Sequence, residues 1–295
     1  MSKAGYALAL HGGGIWFDQM RASEDDYLNS LREHLDFGLQ LVLQGAPAID
    51  IVEAVTIRLE DDPLYKAGHG SIASETEDVT MDAAIMDGHT RNFGAVTTLR
   101  SVRNPVQAAK YLMQNRPESI VAGPGAEEIA INAGLTAKPR SYFCVSPRPG
   151  PETDGTVGVI ALDMHGNLAA ATSTGGYPGH NVSKWRIGDI PIIGAGTFAD
   201  NRSCAISTCG YGEKLISAGL SRRVTGRIEF LQASASAAVS AEMEELSDEA
   251  VFPAGIICLD HNGELGVGVT PAFAMAYASI SSEQEALVKL LKAES

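Results

Sequence analysis

The chain has 295 residues and a mass of 31.0 kDa, with 22 basic against 36 acidic side chains, a net charge of −14 and a pI near 4.9. Hydrophobic residues at 45 % and charged residues at 20 % exclude collagen-like, coiled-coil and disordered chains, and the acidic balance argues against nucleic acid or an anionic membrane as a partner. One large domain of this length buries enough surface to fold without disulfide or metal staples. Its four scattered cysteines, Cys144, Cys204, Cys209 and Cys258, form no CxxC pair and fit a reducing, cytoplasmic setting.

In chain order, residues 6–10 read as a short buried strand running into His11-Gly12-Gly13-Gly14. Leu28, Leu31, Leu35, Leu39 and Val42 recur at spacings of three and four and predict a helix over 24–44. Pro47 starts a second helix over 48–59, Asn104-Pro105 opens a third through Gln114, and residues 127–133 suggest a fourth. Hairpins are expected at 81–95 around Asp87-Gly88, at 158–174 around His165-Gly166-Asn167 and at 255–270 around Asn262-Gly263, because such turn residues between apolar runs are the strongest short-range hairpin signal. The second and third hairpins resemble one another and read as similar sheet elements, expected in two stacked sheets. Residues 212–246 read as helical, and Leu287, Leu290 and Leu291 predict a short amphipathic helix over 282–293. Residues 146–154, SPRPGPETD, read as an extended, exposed linker. No run of about 18 apolar residues is present to span a bilayer, and the first residues lack the apolar core of a signal peptide.

Two nucleophiles suggest themselves. His11-Gly12-Gly13-Gly14 matches an esterase oxyanion motif, and Ala171-Thr172-Ser173-Thr174-Gly175 is a variant of the nucleophile elbow, with His261 downstream. That elbow needs a strand, a sharp turn and a helix, whereas Ser173 is followed by glycines and a proline. The other candidate is Thr156, which follows the linker and Gly155 at the start of an apolar strand. Attack of its hydroxyl on the Gly155 carbonyl, then hydrolysis, would free an α-amine beside the same hydroxyl. An α-amine titrates near 7.7–8.0 and so can serve as a base at neutral pH.

The residues around Thr156 favour the second candidate. Thr156-Val157-Gly158, AAATSTGG at 169–176, Arg186-Ile187-Gly188-Asp189, PIIGAGTFAD at 191–200 and Cys209-Gly210-Tyr211-Gly212-Glu213 resemble, in order, the plant-type asparaginase/isoaspartyl peptidase family of N-terminal-nucleophile hydrolases. Upstream, ALHGG at 9–13, LEDDPLYKAGHGS at 59–71, MDAAIMDG at 81–88 and VRNPVQAA at 102–109 resemble the same family. The resemblance implies an α+β fold, a four-layer αββα sandwich with two stacked antiparallel sheets between helices. It implies a single domain over 1–295, cut by the chain itself between Gly155 and Thr156 into fragments 1–155 and 156–295, and a homodimer of such units.

For the site, the resemblance implies Thr156 as nucleophile, Thr174 as its supporting hydroxyl, Arg186 and Asp189 as partners of the substrate α-carboxylate and α-ammonium, Gly210 as oxyanion donor and Gly212 against the substrate. The resemblance implies no cofactor for catalysis. A structural sodium ion is implied on main-chain carbonyls of Leu59, Glu60, Asp62, Tyr65, Ala67 and His69. Glu213 and Asp82 read as structural. Five features depart from the family pattern: Cys209 for a threonine of the oxyanion hole, Lys66 for an asparagine near the nucleophile, Trp185 for a glycine, Ile190 for a small hydroxyl residue, and a longer loop over 177–184. The expected activity is hydrolysis of the side-chain amide of asparagine or of a β-aspartyl peptide, a small-molecule substrate. The alternatives are a related amidase for another amide, and an uncleaved relative that binds a small amino acid or amide metabolite.

Overall fold

The computed structural model describes residues 5–14, 22–72, 79–143, 155–176, 185–247, 253–271 and 273–292; the linker over 146–154, the loop over 177–184 and Cys144 lie outside the described residues. The first half carries β1 (Ala7–Gly14), α1 (Glu24–Leu43), α2 (Ala48–Asp61), β2 (Met81–Asp87), β3 (Phe93–Leu99), α3 (Pro105–Asn115), β4 (Ile120–Ala122), α4 (Gly123–Asn132) and α5 (Arg140–Phe143). The second carries β5 (Val157–Leu162), β6 (Leu168–Thr174), β7 (Thr197–Ala199), β8 (Cys204–Gly210), α6 (Gly212–Ala218), α7 (Leu220–Leu231), α8 (Ala235–Ser247), β9 (Ala254–Asp260), β10 (Leu265–Val269), β11 (Ala274–Ser281) and β12 (Leu287–Lys292). None of these helices is long and apolar enough to cross a membrane.

The strands form an eight-stranded sheet, ordered β12-β11-β1-β5-β6-β2-β3-β4, and a four-stranded sheet, ordered β10-β9-β8-β7. All three expected hairpins form: β2–β3 and β5–β6 in the larger sheet, β9–β10 in the smaller. Period-two alternation distributes the larger sheet between two cores. Leu8, Leu10, Val159, Ala161, Ala169 and Ala171 pack against α1, α2 and α3. Their neighbours Ala7, Ala9, Ile160, Leu162, Leu168 and Ala170 face the four-stranded sheet, behind which α7 and α8 pack. The layers are therefore helix, sheet, sheet, helix, as the sequence leads one to expect.

Three details differ from the sequence reading. The segment over 282–293 is no helix: β12 pairs antiparallel with β11, from Ala274↔Lys292 to Ser279↔Leu287. Three leucines at helical spacing cannot nucleate an isolated turn, whereas β11 offers a full row of unpaired backbone groups, and Leu290 packs into the core on that edge. At the opposite edge β4 runs parallel to β3 through α3, so this sheet is not wholly antiparallel. The helical stretch over 212–246 is three helices, broken where Gly219 and Gln232 take left-handed conformations at φ 59° and 55°.

Candidate active site

The alternation that builds the two cores also selects which side chains meet between the sheets. Val157 and Met81 belong to the helix-facing core, so the adjacent Thr156 and Asp82 face the four-stranded sheet. Register aligns Val157 with Ser173 and Asp82 with Thr174. Thr156, Thr174 and Asp82 thus form a row across the ends of three neighbouring strands. Thr156 is 8 % exposed, so it sits at the rim of the core, not within it.

Beneath Thr156 lies a buried polar chain. His11 Nε2 is 2.9 Å from Ser207 Oγ, which is 2.9 Å from Thr172 Oγ1. The Gly13 N–H donates to His11 Nδ1, so Nε2 carries the ring proton, and the Thr156 carbonyl also faces the ring. Burial drives the His11 pKa down to about 3, against the pull of that carbonyl, and the ring stays neutral. The glycines after His11 each accommodate a close neighbour. A Cβ on Gly12 would meet the Tyr65 ring, one on Gly14 the Phe273 ring, and one on Gly13 would lie within 2.9 Å of Gly155 Cα, Gly155 C and Thr156 O. The run His11–Gly14 is therefore part of β1 packed against the Gly155–Thr156 peptide.

Beyond Asp82 lies a charged cluster. Arg186 donates from Nε and Nη2 to the two oxygens of Glu213, at 2.6 and 2.7 Å. Burial opposes the Arg186 charge, and Glu213, with Asp189 and Asp82, more than restores it. Asp189 is buried and accepts from Thr208 Oγ1 at 3.4 Å. Gly212 lies against both: a Cβ there would come to 2.7 Å from Asp189 Oδ1 and 3.0 Å from Arg186 Nη2. Asp82 accepts from Thr97 Oγ1 at 2.6 Å and the Thr98 N–H at 2.8 Å, and burial raises its pKa against those bonds and the Arg186 charge. Thr98 sits at φ 57°, an unfavourable region for a β-branched residue, and Asp82 helps to hold it there. One guanidinium among three carboxylates leaves a cluster complementary to a zwitterion, a ligand with a carboxylate for Arg186 and an ammonium for the acids.

Gly210 takes φ 140° beside Pro253, a backbone favoured by glycine. The Cys209 thiol lies between the sheets, 3.5 Å from Met275 Sδ. Cys204, Cys209 and Cys258 are free and buried. Trp185, 55 % exposed, covers Gly123 at the rim, while Ile190 is buried.

The second nucleophile fares differently. Ser173 points to the helix side, is wholly buried and donates to Glu60 Oε1 at 2.7 Å. Glu60 is itself buried, and burial raises its pKa to about 8 against bonds from Ser173, the Val106 N–H and Asn104. His261 sits in a turn, 3.4 Å from the Ser203 carbonyl. Ser173 therefore has no exposed hydroxyl, and its partner Glu60 is buried and mostly protonated at neutral pH, because alternation turns Ser173 to the helix side, away from Thr172 and Thr174.

The loop after α2 is wound closely enough for Gly68 to touch the Glu60 carbonyl and Gly70 the carbonyls of Tyr65 and Pro63. Its donors are neutral carbonyl oxygens. The Asp62 and Ala67 carbonyls also accept turn bonds from Tyr65 and Gly70, and the His69 ring stacks on Tyr142 at 4.3 Å. Carbonyl oxygens fit a hard cation of low charge. Among the described residues no group of three or more His, Cys, Asp or Glu side chains could hold a metal ion.

Sequence reasoning missed Ser207 and Thr172, and it left Glu213 and Asp82 outside the site. Only the first two carried a legible signal: both are polar residues at inward positions of otherwise apolar strands. Nothing in the sequence ties Glu213 to Arg186, 27 residues away.

A family model described as asparaginase matches residues 4–149 and 145–288. The chain is 38 % identical over 208 residues to the isoaspartyl peptidase/L-asparaginase of Rattus norvegicus, which covers 65 % of this chain and 62 % of that protein. It is 33 % identical over 292 residues to the isoaspartyl peptidase of Escherichia coli (strain K12), covering 90 % of each. Over 305 residues it is 33 % identical to the probable isoaspartyl peptidase/L-asparaginase 2 of Arabidopsis thaliana, covering 90 % of this chain and 92 % of that protein.

Proposed function

Because this chain belongs to the asparaginase family and is a hydrolase of amide bonds, we propose that it cuts itself before Thr156 and then uses that threonine to hydrolyse the side-chain amide of asparagine or of a β-aspartyl peptide. The observation that carries this reading is the row of Thr156, Thr174 and Asp82 between the sheets, flanked by the zwitterion-matched cluster of Arg186, Asp189 and Glu213.

In the self-cleavage step Thr156 Oγ1 attacks the Gly155 carbonyl carbon, the C–N bond breaks, and the nitrogen takes the hydroxyl proton. Water then hydrolyses the resulting ester, leaving a Gly155 carboxylate and a free Thr156 amine. In turnover that amine accepts the Oγ1 proton as Oγ1 attacks the substrate amide carbon. The proton passes to the departing amine, and water releases the aspartyl group from the acyl-enzyme. Arg186 exchanges Glu213 for the substrate α-carboxylate, Asp189 takes the α-ammonium, and Thr174 supports the nucleophile. The Gly210 N–H serves the oxyanion, joined by Cys209 when its thiol turns from Met275. Gly212 leaves room for the substrate beside Asp189. A sodium ion on the carbonyls of Leu59, Glu60, Asp62, Tyr65, Ala67 and His69 would brace the loop that carries Lys66; it enters no step.

Intact-mass spectrometry of the denatured protein tests the reading. Fragments of residues 1–155 and 156–295, absent in Thr156→Ala, with ammonia or amine release from asparagine or a β-aspartyl dipeptide, are expected. A single 31.0 kDa species after long incubation would refute self-cleavage and leave a chain that binds small amino acids or amides. The rest of the reading is a homodimer of such cleaved units, which analytical ultracentrifugation would establish.

A further inference from the structure

The self-cleaving reading leaves open what holds the Gly155 carbonyl over Thr156 Oγ1, and the structure offers a specific group. Lys66 is 6 % exposed. A Cβ placed on Gly155 would collide with Lys66 Cβ and Cγ and come to 2.5 Å from its Cδ, so the aliphatic stem of Lys66 lies along the Gly155 α-carbon. On another side Gly13 packs so that its own Cβ would fall 2.8 Å from Gly155 Cα and 2.9 Å from Gly155 C. The residue before Thr156 is thus held between a glycine of β1 and the stem of a lysine.

The lysine is itself fixed. Its carbonyl accepts the Gly175 N–H at 2.6 Å, one residue beyond Thr174, and Ile72 N–H donates back to the Gly175 carbonyl at 3.0 Å. Ser71 Oγ closes the loop onto the Gly68 carbonyl at 2.7 Å. Tyr65 and Ala67, on either side of Lys66, are buried. The main chain of Lys66 is therefore tied to the strand end that bears Thr174, and its stem reaches the junction from there.

We propose that the stem of Lys66 is a clamp that positions the Gly155–Thr156 peptide for self-cleavage and that its contact restricts position 155 to glycine. This inference rests on the reading that Thr156 cuts its own chain. A buried methylene stem against Cα limits the rotations open to Gly155, and a displacement near 1 Å at a reacting carbonyl can lower a rate on the order of 100-fold. The contact is made by carbon atoms, so the ammonium is not required for the clamp.

The test follows self-cleavage in freshly translated full-length chains by intact mass, for the wild type, Thr156→Ala, Lys66→Ala, Lys66→Met, Lys66→Gly, Gly155→Ala and the double variant Lys66→Gly/Gly155→Ala. Lys66→Ala should slow cleavage on the order of 10-fold or more, while Lys66→Met, which keeps an unbranched stem without charge, should restore it to within about threefold of the wild type. Gly155→Ala should also be slow, and its penalty should shrink when combined with Lys66→Gly, which removes the Cβ, Cγ and Cδ that a Cβ at position 155 would meet. Thermal unfolding of each Lys66 variant in the Thr156→Ala background separates misfolding from misplacement. Cleavage of Lys66→Ala at the wild-type rate would overturn the clamp. So would Lys66→Met as slow as Lys66→Ala, or strictly additive effects in the cycle. A wild type that never cleaves would instead overturn the underlying reading, leaving Lys66 without a junction to hold.

Discussion

The buried imidazole of His11 makes a sharp prediction about acid stability. Its Nδ1 accepts from the Gly13 N–H and its protonated Nε2 faces Ser207 Oγ, so a second proton would set one donor against another at a ring with no exposed surface. The pKa of about 3 in the folded chain compares with 6.5 for an ordinary histidine. Because the folded value is the lower one, the unfolded chain binds the extra proton first. The contribution of neutral His11 is complete above pH 6.5 and is lost progressively as pH falls towards 3. At pH 4 the unfolded ring is almost fully charged and the folded ring mostly neutral, so this group removes about 3 kcal/mol of stability between pH 7 and pH 4. The assay is urea unfolding at pH 7, 6, 5 and 4 in the Thr156→Ala background, which keeps the chain in one piece, with and without His11→Gln. The glutamine variant should be weaker at pH 7 by about 2 kcal/mol from the lost network, and its decline to pH 4 should be shallower by about 3 kcal/mol. Parallel declines, differing by less than about 1 kcal/mol, would refute the assignment of a neutral, buried His11.

Two further perturbations separate the proposed roles. Arg186→Lys loses the planar pair of donors, so kcat/KM on a β-aspartyl dipeptide should fall on the order of 100-fold, equivalent to about 3 kcal/mol. The extent of self-cleavage should not change, and an unchanged kcat/KM would remove Arg186 from substrate binding. Ser173→Ala should leave amide hydrolysis within about threefold of the wild type while lowering stability by about 1–2 kcal/mol through the lost bond to Glu60. Loss of all activity with self-cleavage intact would revive the serine nucleophile.

Much of the fold was legible because it rests on local chemistry. The helix over 24–43 follows from leucines at three- and four-residue spacing, and the structure adds a Ser23 cap reinforced by Asp26 that the sequence reading does not use. The hairpins follow from turn residues between apolar runs, and the second and third lie in different sheets, the second at the centre of the larger and the third at an edge of the smaller. The edge strand over 287–292 was not legible, because strand pairing needs a partner edge and Leu287, Leu290 and Leu291 fit a helix equally well. Three-way helix breaking over 212–247 escaped for a related reason: Gly219 gave a warning, but the left-handed Gln232 gave none.

At the site, the sequence by itself marked the candidate residues: a threonine after a glycine and a linker, a second threonine, an arginine with an aspartate three residues on, and glycines where backbones crowd. It did so because their order resembles that of one family, and each type suits the role that the resemblance implies. Only the tertiary structure decided their arrangement. Strand register and the period of two set Thr156, Thr174 and Asp82 side by side and turned Ser173 away. Packing between distant segments paired Arg186 with Glu213, buried His11 against Ser207, and laid the stem of Lys66 across Gly155. These are contacts between residues far apart in the chain. No local preference encodes them, since they arise only when two sheets close on each other and exclude water.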